Sequence, residues 1–248
     1  MIEMSIGEIA KIVGGEVFGM DLESRTSAYP IINSGQAGPG TFFVAFKGNN
    51  TDGHNFVEEA INSGSQFALV SSQVNVASIK VPDVLDALVR LAKHVRQELS
   101  TLNVIGITGS QGKTTTKDLL QHILQISGET VAPEGSLNNE LGVPLLILRC
   151  TLTTKYCIVE MGARHTGDIS HLVEIARPQI GLVLVVGKAH LGEFGSREKI
   201  AETKAELITG LASGSTAILG TYDEFTPNMK VPSGVERITF GENSSCNV

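Results

Sequence analysis

The chain has 248 residues with 42% hydrophobic and 18% charged side chains and a formal net charge of -7. That apolar supply excludes a globally disordered chain, and the length suits one large or two modest domains. The acidic balance opposes nonspecific attraction to nucleic acid or an anionic membrane, so neither is an expected partner, and with no Trp and 3 Tyr the chain lacks the rings a base-stacking strand binder uses.

The start, Met1-Ile-Glu-Met4, lacks the charged-then-apolar order of a signal peptide, and the three cysteines match no zinc spacing. A reduced, cytoplasmic chain is therefore expected. The first part reads as a compact α/β module. Apolar residues at helical spacing over 6–13 are followed by a strand at 41–46, a helix at 56–63 and a strand at 67–71. Over 84–99 the apolar positions Val84, Leu85, Leu88, Leu91, Ala92, Val95 and Leu99 recur at three and four residues behind Pro82 and Asp83, which predicts a helix joining two modules. The second part alternates strands at 103–108, 156–161, 180–186 and 216–219 with helices at 113–127, 169–176 and 197–211. Repeated βα units of this kind imply a parallel sheet covered on both faces. The most apolar stretch, 180–187, is far too short to span a bilayer. Beyond Gly220 turn formers dominate, with one more strand-like run at 237–240.

The strongest chemical signal lies between the strand at 103–108 and the helix at 113–127, where the chain reads Gly109-Ser110-Gln111-Gly112-Lys113-Thr114-Thr115. Backbone N–H groups of such a loop surround phosphate oxygens, the helix N-terminus favours their charge, and Lys113 reaches the terminal phosphates while the Thr114 hydroxyl meets magnesium. The alternative, a glycine turn capped by a solvated lysine, does not explain why both the strand and the helix flank it. The loop is shorter than the common Gly-x-x-x-x-Gly-Lys-Thr form, because Ile107 stands where the first glycine would be.

That shortened loop resembles the Mur ligase family, ATP-dependent peptide-bond-forming enzymes of cell-wall precursor synthesis, and the related folylpolyglutamate synthetases. Further matches follow in the family's order. Gly135-Ser-Leu-Asn138-Asn139-Glu140-Leu-Gly-Val-Pro144 is similar to the branch that adds D-alanyl-D-alanine, and implies that Asn138 and Asn139 contact substrate; taken alone they are ordinary loop formers. Glu160 ends a strand at the sheet edge where open parallel sheets place ligands. The resemblance implies that Glu160 and His190 join Thr114 in holding magnesium, although magnesium prefers oxygen and a lone histidine is more often a packing or surface residue. Lys204 matches the family lysine that several members carbamylate; a solvated helix lysine is the plainer reading. Lys113, Glu160, His190 and Lys204 are thus the candidate catalytic residues.

In the first module, Gly40-Thr-Phe-Phe-Val44-Ala-Phe-Lys47-Gly48 and Asp52-Gly53-His54 resemble the family's UDP-binding domain. The resemblance implies contacts to the nucleotide sugar from Ser34, Lys47, Gly48, Asp52, Gly53 and His54. Where the family usually has Asp-Ser-Arg, this chain has Asn33-Ser34-Gly35, so a charged donor is missing and weaker UDP-sugar binding is expected. The resemblance covers about residues 4 to 220. It implies a UDP-sugar-binding domain over 1–82 and a central ATP-binding domain over 83–248 whose mostly parallel sheet, flanked by helices, is incomplete. It also implies that the C-terminal amine-binding domain of full-length members lies beyond this chain.

The implied reaction has the carboxylate of UDP-N-acetylmuramoyl-tripeptide attack the γ-phosphate of ATP to give an acyl phosphate, which the amine of D-alanyl-D-alanine opens. Phosphoryl transfer needs positioning and charge neutralisation rather than a nucleophilic side chain. A monomer using ATP and Mg2+ is expected. The open alternatives are a sister ligase adding another amino acid, a folylpolyglutamate synthetase, which the UDP-domain motifs disfavour, and a fragment that binds UDP-sugar or nucleotide without ligating.

Overall fold

Ser5 closes a two-residue strand, β1 (Met4–Ser5), and opens helix α1 (Ile6–Val13), because its hydroxyl accepts from the Glu8 N–H while the Glu8 carboxylate accepts from the Ser5 N–H. This reciprocal cap satisfies two otherwise orphaned donors. Gly14, in the left-handed region at φ 67, ends the helix. In this computed structural model residues 1–48, 51–135, 137–187, 191–242, 244 and 246–248 are described. They divide into two units, Met1–Leu99 with Ile147–Thr151, and Ser100–Leu146 with Leu152–Val248.

In the first unit β2 (Glu16–Phe18), β4 (Tyr29–Ile31), β5 (Thr41–Val44), β6 (Ala68–Val70) and β7 (Ser78–Lys80) form a sheet in the order β2-β7-β6-β5-β4. Among the described residues only the β2–β7 pairing in it is antiparallel, and β1 pairs separately with β3 (Arg25–Thr26). Helix α2 (Val57–Asn62) lays Val57 and Ala60 against Phe43, Ala45, Ala68 and Val70. The rings of Phe42 and Phe67 stack 4.8 Å apart. Helix α3 (Val84–Glu98), capped by Asp83, buries Leu88, Leu91, Ala92 and Val95 and packs on α1. By its contacts this helix therefore groups with the first unit.

The second unit contains β8 (Asn103–Thr108), α4 (Lys113–Leu124), β9 (Thr130–Val131), all but the last residue of α5 (Gly142–Ile147), β10 (Tyr156–Glu160), α6 (Asp168–Ala176), β11 (Ile180–Val183), α7 (Leu191–Phe194), α8 (Arg197–Thr209), β12 (Thr216–Gly220) and β13 (Glu236–Phe240). Among the described residues six strands form one sheet in the order β13-β12-β11-β8-β10-β9, and every pairing is parallel. Ile105, Ile107, Ile158 and Leu182 face Leu120 and Leu124 of α4. The other face receives α6 and α8.

Two glycines decide how near α8 comes. Gly106 of β8 and Gly181 of β11 are register partners. A Cβ on Gly106 would stand 2.9 Å from Leu207 Cδ1, and one on Gly181 would meet Leu211 Cδ1 at 3.1 Å and Ile208 Cδ1 at 3.3 Å. A bare backbone at both positions lets α8, which carries Lys204, sink onto the sheet. β11 ends three residues earlier than the expected 186, since Val185 turns its carbonyl to the Ser110 N–H at 2.8 Å.

Gly106→Val should therefore cost about 1–3 kcal/mol by overpacking this seam. Gly38→Ala, at a position with nothing within 4 Å of the added carbon, should stay within about 0.5 kcal/mol. Urea denaturation of both variants measures the contrast, and equal midpoints would contradict the close-approach account.

Candidate active site

Strand β8 runs into the loop at Thr108, whose hydroxyl donates to the Met161 carbonyl at 2.9 Å and so ties the loop's root to the end of β10. Gly112, at φ 85, turns the chain into α4 in a conformation that residues with a Cβ rarely adopt. The loop is held from the side by the end of β11: the Ser110 N–H donates to Val185, and the Gly187 N–H donates to Ser110 Oγ at 2.8 Å. Gln111 and Thr115 are exposed. Lys113 folds back so that Nζ donates to the Gly109 carbonyl at 2.9 Å.

The carboxylate of Glu160 lies beside this loop, with the residue only 2% exposed. Thr114 Oγ1 donates to Oε2 at 3.2 Å and Asn138 Nδ2 to Oε1 at 2.9 Å. Burying a charged group is costly unless it is hydrogen-bonded, and here each oxygen has a donor from a different segment. Gly162 makes room for one of them: its N–H donates to the Asn138 carbonyl at 2.9 Å, and a Cβ there would stand 2.8 Å from Asn138 Oδ1. Asn139 does something else. Its Oδ1 accepts from the Gly142 N–H at 3.1 Å and so caps α5.

Lys204, on α8, is 8% exposed. Burial, with the charge of Lys113 adding to it, lowers its ammonium from the ordinary 10.5 to about 8. Two residues on, Glu206 accepts from the N–H groups of Gly167 at 2.7 Å and Ser170 at 2.9 Å, capping α6 from a neighbouring helix. His190 lies outside the described residues. Among those described, no group of three or more His, Cys, Asp or Glu side chains gathers as a metal cluster. The donors present beside the 109–115 loop, one carboxylate and one hydroxyl, suit magnesium, which takes oxygen ligands.

In the first unit, the carboxyl ends of parallel strands again collect the predicted residues. Ser34 follows β4, Lys47 and Gly48 follow β5, and Ser71 follows β6. His54 Nδ1 is 2.6 Å from Asp52 Oδ1, and its Nε2 accepts from the Ser71 N–H at 3.0 Å and the Ser72 N–H at 3.3 Å. These contacts engage both ring nitrogens within the protein. The backbone N–H of His54, then its ring, hold the Asp52 carboxyl below its ordinary pKa. Gly53 passes so near Phe46 that a Cβ would stand 2.7 Å from its carbonyl oxygen. Asn33, in the segment where the basic donor is missing, accepts from the Gly35 N–H at 2.9 Å. Ser71, Ser72 and Glu206 were not singled out by motif; their roles arise from partners 17 to 39 residues away.

A family model described as Mur ligase middle domain matches residues 107–247, and one described as Mur ligase family, catalytic domain, matches 31–113. The UDP-N-acetylmuramoyl-tripeptide--D-alanyl-D-alanine ligase of Mycobacterium tuberculosis is 43% identical over 252 residues, 90% of this chain and 49% of that protein. A crystal structure of MurF from Acinetobacter baumannii superposes with a TM-score of 0.84 at 32% identity, over 96% of this chain and 53% of that one. MurF ligase from Thermotoga maritima, solved in complex with ADP, gives 0.74 at 36% identity over 87% and 50%. The chain thus spans about half the length of the relatives it matches.

The buried ammonium sets a pH signature. With a folded pKa near 8 against 10.5, the unfolded chain binds more protons between these values, so the penalty is complete below pH 8 and fades as pH rises toward 10.5. In carbon dioxide-free buffer, Lys204→Met should raise stability at pH 7 by up to roughly 3 kcal/mol, with the gain shrinking toward pH 10. A gain independent of pH would contradict the assignment.

Proposed function

The chain belongs to the Mur ligase family, and from that premise we propose that it forms the nucleotide-sugar and ATP-binding portions of a ligase joining D-alanyl-D-alanine to UDP-N-acetylmuramoyl-tripeptide. The observation that carries the reading is the buried Glu160 carboxylate between Thr114 and Asn138 beside the phosphate loop. It joins the most selective motif to the double-asparagine segment characteristic of that branch. Among the described residues no helix is long and apolar enough to cross a membrane, and the proposed setting is a cytoplasmic monomer acting on a dissolved nucleotide sugar.

In this reading Gly109 to Thr115 wrap the β- and γ-phosphates of ATP, and Lys113 exchanges the Gly109 carbonyl for phosphate oxygen. Glu160 and Thr114 hold magnesium, with His190 as a further candidate ligand; the bound ion supplies neutralisation of phosphate charge. Asn138 fixes the rotamer of Glu160, and Asn139 shapes the loop that carries it. Lys113 offsets the negative charge that builds as the tripeptide carboxylate attacks phosphorus, forming the acyl phosphate that the dipeptide amine then opens. Lys204, with an ammonium near pKa 8, holds a larger neutral fraction at physiological pH than an exposed lysine, and only a neutral amine captures carbon dioxide. Ser34, Lys47, Gly48 and the loop stapled by Asp52 and His54 receive the UDP moiety.

The phosphate-loop role predicts that magnesium-ADP raises the melting temperature of the parent chain and not that of Lys113→Ala, while UDP-N-acetylmuramoyl-tripeptide protects both. Equal protection of parent and variant by magnesium-ADP would overturn it. For the ligase reading, the protein carrying this chain should release phosphate from ATP only when both the UDP-tripeptide and the dipeptide are present.

A further inference from the structure

We infer that Asp223 is a positioning residue for the phosphate loop, acting through the backbone of residues 185–187. The inference rests on the reading of 109–115 as a nucleotide loop and adds what holds that loop in place. Asp223 lies in the turn after β12, 110 or so positions from the loop it governs. Its Oδ1 accepts from the N–H groups of Phe225 at 2.7 Å and Thr226 at 2.8 Å; its Oδ2 accepts from Thr226 Oγ1 at 2.6 Å and from the Val186 N–H at 2.9 Å.

Val186 is gripped on its other side as well. Arg197, at the start of α8, donates Nη2 to the Val186 carbonyl at 3.1 Å and Nη1 to Glu224 at 2.8 Å, and its guanidinium lies 5.0 Å from the centroid of the Phe225 ring. The residues flanking Val186 are the two that hold Ser110, Val185 through its carbonyl and Gly187 through its N–H. The 223–226 turn, the end of β11 and the phosphate loop therefore form one hydrogen-bonded series in which Val186 is fixed on one side and Ser110 depends on it on the other.

The series needs a carboxylate. Burial raises the Asp223 pKa, but the bonds from Thr226, Val186 and Phe225 outweigh it and keep the group ionised at neutral pH. An amide has one accepting oxygen. In Asp223→Asn that oxygen retains the Phe225 and Thr226 N–H groups, so the turn survives, and the NH2 group is presented to the Val186 N–H. The Thr226 contact reverses, with the NH2 group donating to the hydroxyl oxygen, while the link to the Val186 N–H, which can only donate, is broken.

The test is magnesium-ADP affinity by calorimetry on the whole chain, for the parent, Asp223→Asn, Ser110→Ala and the double variant. Asp223→Asn should weaken binding about tenfold, or about 1.4 kcal/mol, with little change in the ligand-free melting temperature. The double variant should bind no more weakly than the weaker single one, since both cut the same series. Unchanged affinity in Asp223→Asn, losses that multiply as independent effects, or a stability loss without an affinity loss would each overturn the inference. If Asp223→Asn fails to fold, Arg197→Lys, which loses the guanidinium fork, takes its place in the same cycle with the same criteria. A parent that does not bind magnesium-ADP overturns the nucleotide-loop reading and the inference with it; a parent that binds beside an indifferent Asp223→Asn overturns the inference alone.

Discussion

Burying a carboxylate is costly unless donors meet it, and Glu160 ties three separate segments together by that condition. Its partners come from the first turn of α4 and from the loop before α5, while the residue itself ends β10. None of the three can move far without leaving an oxygen unsatisfied. The phosphate loop inherits its position from this requirement at one end and from Ser110 at the other. Gly162 and Gly112 are subordinate to it: one lets Asn138 lie against the strand end, the other aims α4 so that Thr114 arrives.

The first unit solves a related problem with an imidazole. His54 accepts two backbone N–H groups and meets Asp52, so a loop that would otherwise present unpaired donors is closed by a side chain. Side chains used in this way shape a surface, and Lys47 and Gly48 stand exposed in the same loop. The missing basic residue next to Ser34 has no replacement in that segment, where Asn33 spends its oxygen on the backbone.

Long, periodic elements were legible in the sequence. The strands β8 and β10, the helices α3, α4 and α8, and the parallel sheet all follow from spacing and from βα alternation. β9 was not legible, because two residues carry no period and only pairing with β10 makes Thr130 and Val131 a strand. The membership of α3 depended on which surface its apolar stripe found, which spacing cannot say. Within the site, the loop pattern that leads Lys113 and Thr114 into a helix and the position of Glu160 at a strand end were legible. Asn139, Glu206 and Asp223 were not, because a cap or an anchor is defined by its partner, and for Glu206 and Asp223 that partner lies more than thirty residues away.

The bond from Lys113 to the carbonyl of Gly109 bears on speed as well as on binding. A long flexible lysine free in water loses up to about 2 kcal/mol of rotamer freedom when it is fixed. Here much of that ordering has taken place before any anion arrives, and the ammonium has already exchanged one water for a protein oxygen. In the proposed role, reaching a phosphate then requires only a short swing away from the carbonyl of Gly109, four residues back in the chain. A loop arranged in this way responds to its anion on the timescale of a side-chain rotation rather than of a backbone refolding.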